Sequence, residues 1–80
     1  MDINEFIKHF FEQFDGTEFS MFHADTKFRE IEEWSSLNAL SIIAMVDEEY
    51  DVELKGDDIR NSQTIQDIFN IVKSKKELNE

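Results

Sequence analysis

Two adjacent hydroxyl groups, on Ser35 and Ser36, stand at the start of a strongly apolar segment and are the side chains best suited to group transfer. A serine hydroxyl is a weak nucleophile unless a neighbouring base takes its proton. No histidine or lysine lies close to Ser36 in the sequence. Any covalent chemistry at Ser36 is therefore expected to be performed by another protein.

Groups for other kinds of chemistry are scarce. The chain has no cysteine, so it cannot form a disulfide or a thiolate metal site. His9 and His23 have no second histidine at ligand spacing, and the acidic clusters lack the spacing of a calcium loop. The carboxylates are predicted on exposed faces, with no cleft to shift their pKa values. We therefore predict no metal site and no enzymatic activity.

Charge narrows the class of partner. Nineteen acidic and eight basic side chains give a formal net charge of −11, which repels nucleic acid and anionic membrane surfaces. Partners are expected to be proteins with basic patches, and the chain is expected to be a monomer. The N-terminus lacks the basic and apolar regions of a signal peptide, and no apolar run could span a bilayer. These features favour a cytoplasmic location.

Hydrophobic residues make up 40% of the chain and include eight phenylalanines, enough apolar surface for a folded domain spanning residues 1–80. Apolar spacing predicts a first helix from about Ile3 to Asp15, with Asp2 as N-cap and Gly16 as a stop. A second helix is predicted over Ser36–Tyr50, with Ser35 or Ser36 as its N-cap.

The last part of the chain predicts a short helical turn over Gly56–Asn61, with Ile59 facing inward, and then a final helix. Thr64 is the expected N-cap of that helix, and Asp67 completes a capping box. Lys73, Lys75 and Lys76 are expected at its negative end.

The segment Thr17–Ser35 shows no sustained period, so we predict a long loop with one helical turn near Glu18–Phe22. Apolar side chains are expected to pin this loop to the core: Phe19, Met21, Phe22, Phe28, Ile31 and Trp34. No strand is expected. The prediction is an all-α fold, an antiparallel four-helix bundle with three main helices, one short helix and a long first loop.

The predicted helix over Ser36–Tyr50 is apolar on two sides. One side should face the core through Ala39, Ile42, Ile43, Val46 and Tyr50. The other is a stripe, here called the mixed stripe, that begins apolar and ends acidic: Leu37, Leu40, Ala44, Asp47 and Glu48. The mixed stripe either packs on the long loop and ends in a solvated acidic face, or binds partners. We favour partner binding, with apolar contacts fixing register and acidic groups steering basic proteins.

Four stretches, in chain order, resemble the acyl carrier protein family. They are Asp25-Thr26-Lys27-Phe28-Arg29-Glu30-Ile31, then Trp34-Ser35-Ser36-Leu37, then the apolar helix ending Asp47-Glu48-Glu49-Tyr50, then Thr64-Ile65-Gln66-Asp67-Ile68. The resemblance covers nearly the whole chain. Ser36 matches the family's modified serine and Leu37 the leucine that follows it. Ser35 departs from the family, which usually has an acidic residue there.

The resemblance implies that Ser36 carries a covalent 4′-phosphopantetheine arm from coenzyme A, flanked by Ser35 and Leu37. It implies a carrier that moves thioester-linked acyl cargo, as in fatty acid or polyketide biosynthesis. Its partners would be a phosphopantetheinyl transferase and acyl-loading and acyl-transfer enzymes with basic patches. Ser41 and Ala44 replace an acid and a bulkier apolar residue of fatty acid carriers, which favours a specialised pathway.

Other functions fit parts of the sequence. An aminoacyl or peptidyl carrier would share the same arm and helix order. An unmodified acidic interaction module would use the charge alone, and Ser36 would then be an ordinary N-cap.

Overall fold

A computed structural model of the protein describes residues 1–78, so the last two residues of the predicted domain, Asn79 and Glu80, lie outside the described range. The α-helices are α1 (Ile3–Phe11), α2 (Ser36–Tyr50), α3 (Gly56–Arg60) and α4 (Ile65–Leu78), with 3-10 turns at Phe19–Met21 and Phe28–Glu30. Extended pairing among these residues is limited to one isolated bridge, between Lys27 and Thr64. The described chain is helical, in agreement with the predicted all-α class. None of its helices has the length and apolarity needed to cross a membrane.

Helix α1 begins where the sequence predicts but ends four residues early. The Asp2 side chain accepts a hydrogen bond from the Asn4 amide at 3.0 Å, as expected of an N-cap. The prediction of a helix to Asp15 was wrong because the chain tightens after Phe11. The Phe14 amide donates to the carbonyl three residues back, which turns its ring into the core. Gly16, at φ 79°, serves a later turn and does not stop the helix.

The buried apolar side chains form one cluster, to which all four helices and the long loop contribute. Phe22, Phe28 and Ile31 are buried and Trp34 is half-buried, so four of the six predicted loop anchors are confirmed. Met21 was wrongly predicted as an anchor, since it is 53% exposed. Phe19 is 50% exposed, but its ring lies 5.3 Å from the Phe11 ring, so it attaches the loop to α1 at the surface. Both lie in the outward-facing 3-10 turn, which confirms the predicted turn but not its inward packing.

The long loop is fixed to the start of α4 by main-chain hydrogen bonds. The Ile65 amide donates to the Thr26 carbonyl at 3.1 Å, and the Gln66 amide donates to the Ala24 carbonyl at 2.8 Å. The first amides of a helix have no acceptor within the helix itself. The loop carbonyls therefore cap α4, and α4 in turn fixes the path of the loop.

Arg29 forms a second link between the loop and the α3–α4 connection. Its guanidinium lies 4.9 Å from the Phe28 ring centroid and donates to the Ile59 carbonyl at 2.9 Å and to the Ser62 carbonyl. Ser62 is fully buried, and its hydroxyl donates to the Asp58 carbonyl. The Ser62 hydroxyl and the Ile59 and Ser62 carbonyls thus have hydrogen-bond partners, although this connection is not helical.

The predicted capping box of α4 is confirmed. The Asp67 amide donates to the Thr64 hydroxyl at 3.1 Å, and the Asp67 carboxylate accepts from the Thr64 amide at 3.0 Å. The same carboxylate accepts from the Gln63 amide at 2.9 Å. The Gln63 and Thr64 amides hold the pKa of Asp67 below its usual value.

Helix α3 is confirmed as a short element with Ile59 buried. The Asp58 carboxylate accepts from the Lys55 amide at 2.9 Å and from Lys75 Nζ at 2.6 Å. Burial raises the pKa of Asp58, but the hydrogen bonds from Lys75 and Lys55 outweigh it, so the pKa is lowered. Lys76 Nζ donates to the Tyr50 carbonyl at 3.1 Å. These α4 lysines therefore bind neighbouring segments instead of only offsetting the helix dipole.

The predicted inward side of α2 faces the core. Ile42 and Val46 are fully buried, and Ala39, Ile43 and Tyr50 are partly buried against the cluster.

The Tyr50 ring lies 5.7 Å from the Phe6 ring. Its hydroxyl is buried and has no hydrogen-bond partner among residues 1–78. Burial, followed by the negative charges of Glu5, Glu49 and Asp2, raises the pKa of Tyr50 to about 12.

Tyr50 is the only tyrosine in the sequence, so tyrosinate absorbance should follow this hydroxyl alone. We expect its titration midpoint near pH 12 in the folded protein and near pH 10 in denaturant. Because the folded pKa is raised, its contribution to stability is complete below pH 10 and is lost as pH rises toward 12. Tyr50→Phe should therefore lose less stability than wild type across this window. A folded-state midpoint near 10 would contradict the burial of the hydroxyl.

Candidate functional site

Ser36 is the first residue of α2 and is exposed. Ser35 precedes it with extended backbone (φ −151°, ψ 173°) and occupies the N-cap position. Of the two predicted N-caps, Ser35 is thus the one the helix uses, and Ser36 as an N-cap was wrong. The Ser35 side chain makes no capping hydrogen bond within the described chain. Its hydroxyl donates instead to Asn38 Oδ1 at 2.9 Å.

The environment of the Ser36 hydroxyl suits a negatively charged substituent. It stands at the N-terminus of a 15-residue helix, where the helix dipole is positive and the first amides point outward. Neither adjacent residue is charged. An anionic group attached to this oxygen would be stabilised by the helix and reachable from solvent.

Asn38 joins the start of α2 to the end of α1. Its Nδ2 group donates to the Gln13 carbonyl at 2.9 Å, across 25 positions of sequence. Gln13 Nε2 in turn donates to the His9 carbonyl at 3.1 Å. Sequence periodicity did not identify Asn38, because its role depends on a main-chain carbonyl in another element. A polar residue in the first turn after a serine N-cap was the only signal available.

Trp34 holds the segment just before the two serines. Its ring lies 4.9 Å from the Phe28 ring and 6.1 Å from the Phe14 ring, centroid to centroid. Its amide donates to the Ile31 carbonyl at 2.9 Å. The loop therefore arrives at Ser35 along a fixed path.

Every residue of the mixed stripe is exposed: Leu37, Leu40, Ala44, Asp47 and Glu48. Leu37 is 73% exposed and Leu40 is 63% exposed, which excludes the alternative that they pack on the long loop. Leu37 and Leu40 are three positions apart on the helix, so their exposed side chains are neighbours on its surface. The structure thus places the predicted partner-binding residues on one accessible face that begins at Ser36.

Two grooves flank the mixed stripe, and its two acidic residues line different grooves. On one side, Asp47 lies with Leu40, Ala44 and Leu54 at an open groove of about 460 Å³. Leu54 is only 2% exposed and so belongs to its floor. No sequence pattern placed Leu54 at this groove, because it comes from the segment between α2 and α3.

On the other side, Glu48 lies with His9 and Glu12 at a smaller groove of about 240 Å³ that also includes Ala44. The His9 ring is 3.4 Å from Glu12 and 3.8 Å from Glu5. His23 lies in the loop and is exposed. Within residues 1–78, no three histidine, aspartate or glutamate side chains converge as metal ligands would.

Comparisons with family models, with curated proteins and with solved structures gave no match to this chain.

The exposure of the mixed stripe predicts that its apolar residues contribute little to stability. Leu40→Ala should change the free energy of unfolding by no more than about 0.5 kcal/mol, because the side chain is already in solvent. Ile42→Ala, two positions along the same helix and fully buried, should cost about 2–5 kcal/mol. Urea unfolding followed by circular dichroism measures both. A similar loss in the two variants would show that Leu40 belongs to the core.

Proposed function

We propose that this protein is an acyl carrier protein, which bears a 4′-phosphopantetheine arm on Ser36 and performs no chemistry itself. The observation that carries the proposal is the exposed Ser36 hydroxyl at the head of α2, continuous with the exposed mixed stripe. A hydroxyl without a neighbouring base suits modification by another enzyme. An apolar and acidic surface beside it suits transient docking of many partners.

The residues around Ser36 fit the proposed arm. The helix N-terminus favours the negative phosphodiester, and neither Ser35 nor Leu37 carries a negative charge that would repel it. In the modification, the Ser36 oxygen bonds to phosphorus as the pyrophosphate bond of coenzyme A breaks and adenosine bisphosphate leaves. The transferase takes the serine proton. When bound, the arm supplies a terminal thiol that holds the cargo as a thioester.

We further propose that the four helices form an antiparallel bundle in a single domain. Contacts at both ends of α2 support this arrangement. Asn38, near its start, binds Gln13 just after α1, whereas Tyr50, at its end, contacts Phe6 near the start of α1. The two helices therefore run in opposite directions. The net charge of −11 disfavours self-association, which supports a monomer. We also propose that the protein acts in the cytoplasm.

Partners are proposed to dock on the mixed stripe through basic patches. They would be a phosphopantetheinyl transferase and acyl-loading and acyl-transfer enzymes. Leu37 and Leu40 would supply the apolar contacts nearest the arm, while Asp47 and Glu48 would steer the approach. Exposed ion pairs are individually weak, so partners could leave quickly after each transfer.

The attachment site is tested by intact mass after incubation with coenzyme A and a broad-specificity transferase. We expect wild type and Ser35→Ala to gain one phosphopantetheine, and Ser36→Ala to gain none. Ser35 is the matched control because it is adjacent, carries the same hydroxyl and is also exposed, but lies just before the helix. Modification of Ser36→Ala would overturn the assignment. A wild type that stays unmodified with several transferases would favour the unmodified acidic interaction module.

The partner surface is tested by charge reversal. Asp47→Lys with Glu48→Lys should lower the rate at which a transferase modifies the carrier by roughly tenfold at low salt, mainly through its KM for the carrier. The control is Glu18→Lys with Glu77→Lys, which changes net charge equally at exposed sites outside the mixed stripe. Equal losses in both double variants would indicate a general charge effect without a specific surface. Circular dichroism should show unchanged helicity.

A further inference from the structure

A short chain of hydrogen bonds connects the residue before Ser36 to α1. The Ser35 hydroxyl donates to Asn38 Oδ1 at 2.9 Å, and Asn38 Nδ2 donates to the Gln13 carbonyl at 2.9 Å. We infer that Asn38 is a positioning residue, which fixes the first turn of α2 against α1 so that the Ser36 hydroxyl is presented to the transferase in one orientation. This inference rests on the proposed function.

Packing restrains the start of α2 at two places, through Trp34 before it and the half-buried Ala39, but the side chains between them pack little. Leu37 is 73% exposed, Ser36 is exposed, and the Ser35 side chain does not cap the helix within the described chain. Ile42, where α2 enters the core fully, comes more than one helical turn after Ser36. Helix ends without caps or packing are prone to fraying. The half-buried Asn38 amide thus adds a side-chain hydrogen bond that ties this turn to the segment after α1.

Ser35 and Asn38 act as a matched pair. An asparagine amide has one acceptor end and one donor end, and the Ser35 hydroxyl occupies the acceptor end. The donor end is thereby directed to the Gln13 carbonyl. A carboxylate at position 35 could not donate to Asn38 Oδ1 and would compete with the Gln13 carbonyl for its amide protons. Ser35, at the position where the acyl carrier family usually has an acid, therefore suits an asparagine at position 38 better than an acid would.

Orientation matters because group transfer requires the attacking oxygen in line with the phosphorus. Small displacements of a reacting group from its productive position lower the rate of the chemical step strongly, even when binding is unchanged. Most of the mixed stripe, from Leu40 to Glu48, lies beyond the first turn of α2, so we expect partner docking to depend on Asn38 much less than the chemical step does. Loss of the Asn38 link should therefore reduce kcat of the transferase and leave its KM for the carrier nearly unchanged.

The test measures steady-state transferase kinetics on Asn38→Ala and Asn38→Asp, with coenzyme A saturating. We expect kcat to fall roughly tenfold in both, with KM for the carrier changed less than about twofold. Amide hydrogen exchange at residues 38 and 39, whose amides donate to the Ser35 carbonyl, should become faster in both. Asn70→Ala is the matched control, since this exposed asparagine on α4 also accepts a side-chain hydrogen bond, from Gln66. It should behave as wild type.

Asn38→Asp separates positioning from stability. An aspartate can still accept from Ser35, and its negative charge in the first turn favours the helix, but it cannot donate to the Gln13 carbonyl. It should be at least as stable as Asn38→Ala and still be modified slowly. Wild-type kcat in Asn38→Asp would overturn the inference, as would a loss confined to KM. Failure of the wild type itself to be modified would instead overturn the proposed function.

Discussion

Complete burial of the Phe28 ring is the constraint on which the rest of the structure depends. Phe28 lies within a 24-residue stretch, from position 12 to position 35, that contains no α-helix. Its ring contacts the rings of Phe10 and Trp34, at 5.9 Å and 4.9 Å between centroids. Because it is fixed between α1 and the segment before α2, this irregular stretch follows a single path. The position of Ser36 is a consequence of that path.

Main-chain hydrogen bonds make the same segment inseparable from the C-terminal half of the chain. The carbonyls of Ala24 and Thr26 cap α4, and Arg29 binds the carbonyls that follow α3. An aromatic anchor alone would leave several buried polar groups without partners, which is costly. Here the loop carbonyls and the first amides of α4 are each other's hydrogen-bond partners. The long loop is therefore part of the folded framework that holds the candidate site, and not an appendage to it.

The sequence was sufficient to predict the features that depend on local chemistry. Helical spacing located α2 from Ser36 to Tyr50, and the Thr64 and Asp67 pair located the start of α4, because capping acts over three residues. The same helical spacing also predicted which residues form the mixed stripe. What the sequence could not reveal depends on partners far away in the chain. The early end of α1, the outward position of Phe19 and the link from Asn38 to Gln13 are all set by tertiary contacts.

Trp34 has a practical consequence for studying this protein. It is the only tryptophan, it stands two residues before Ser36, and its ring packs against Phe14 and Phe28. Its fluorescence therefore originates at the end of the loop that delivers the serine, without contribution from a second indole. The protein carries a built-in optical reporter at its candidate site, so loosening of that loop can be followed in real time without attaching a label.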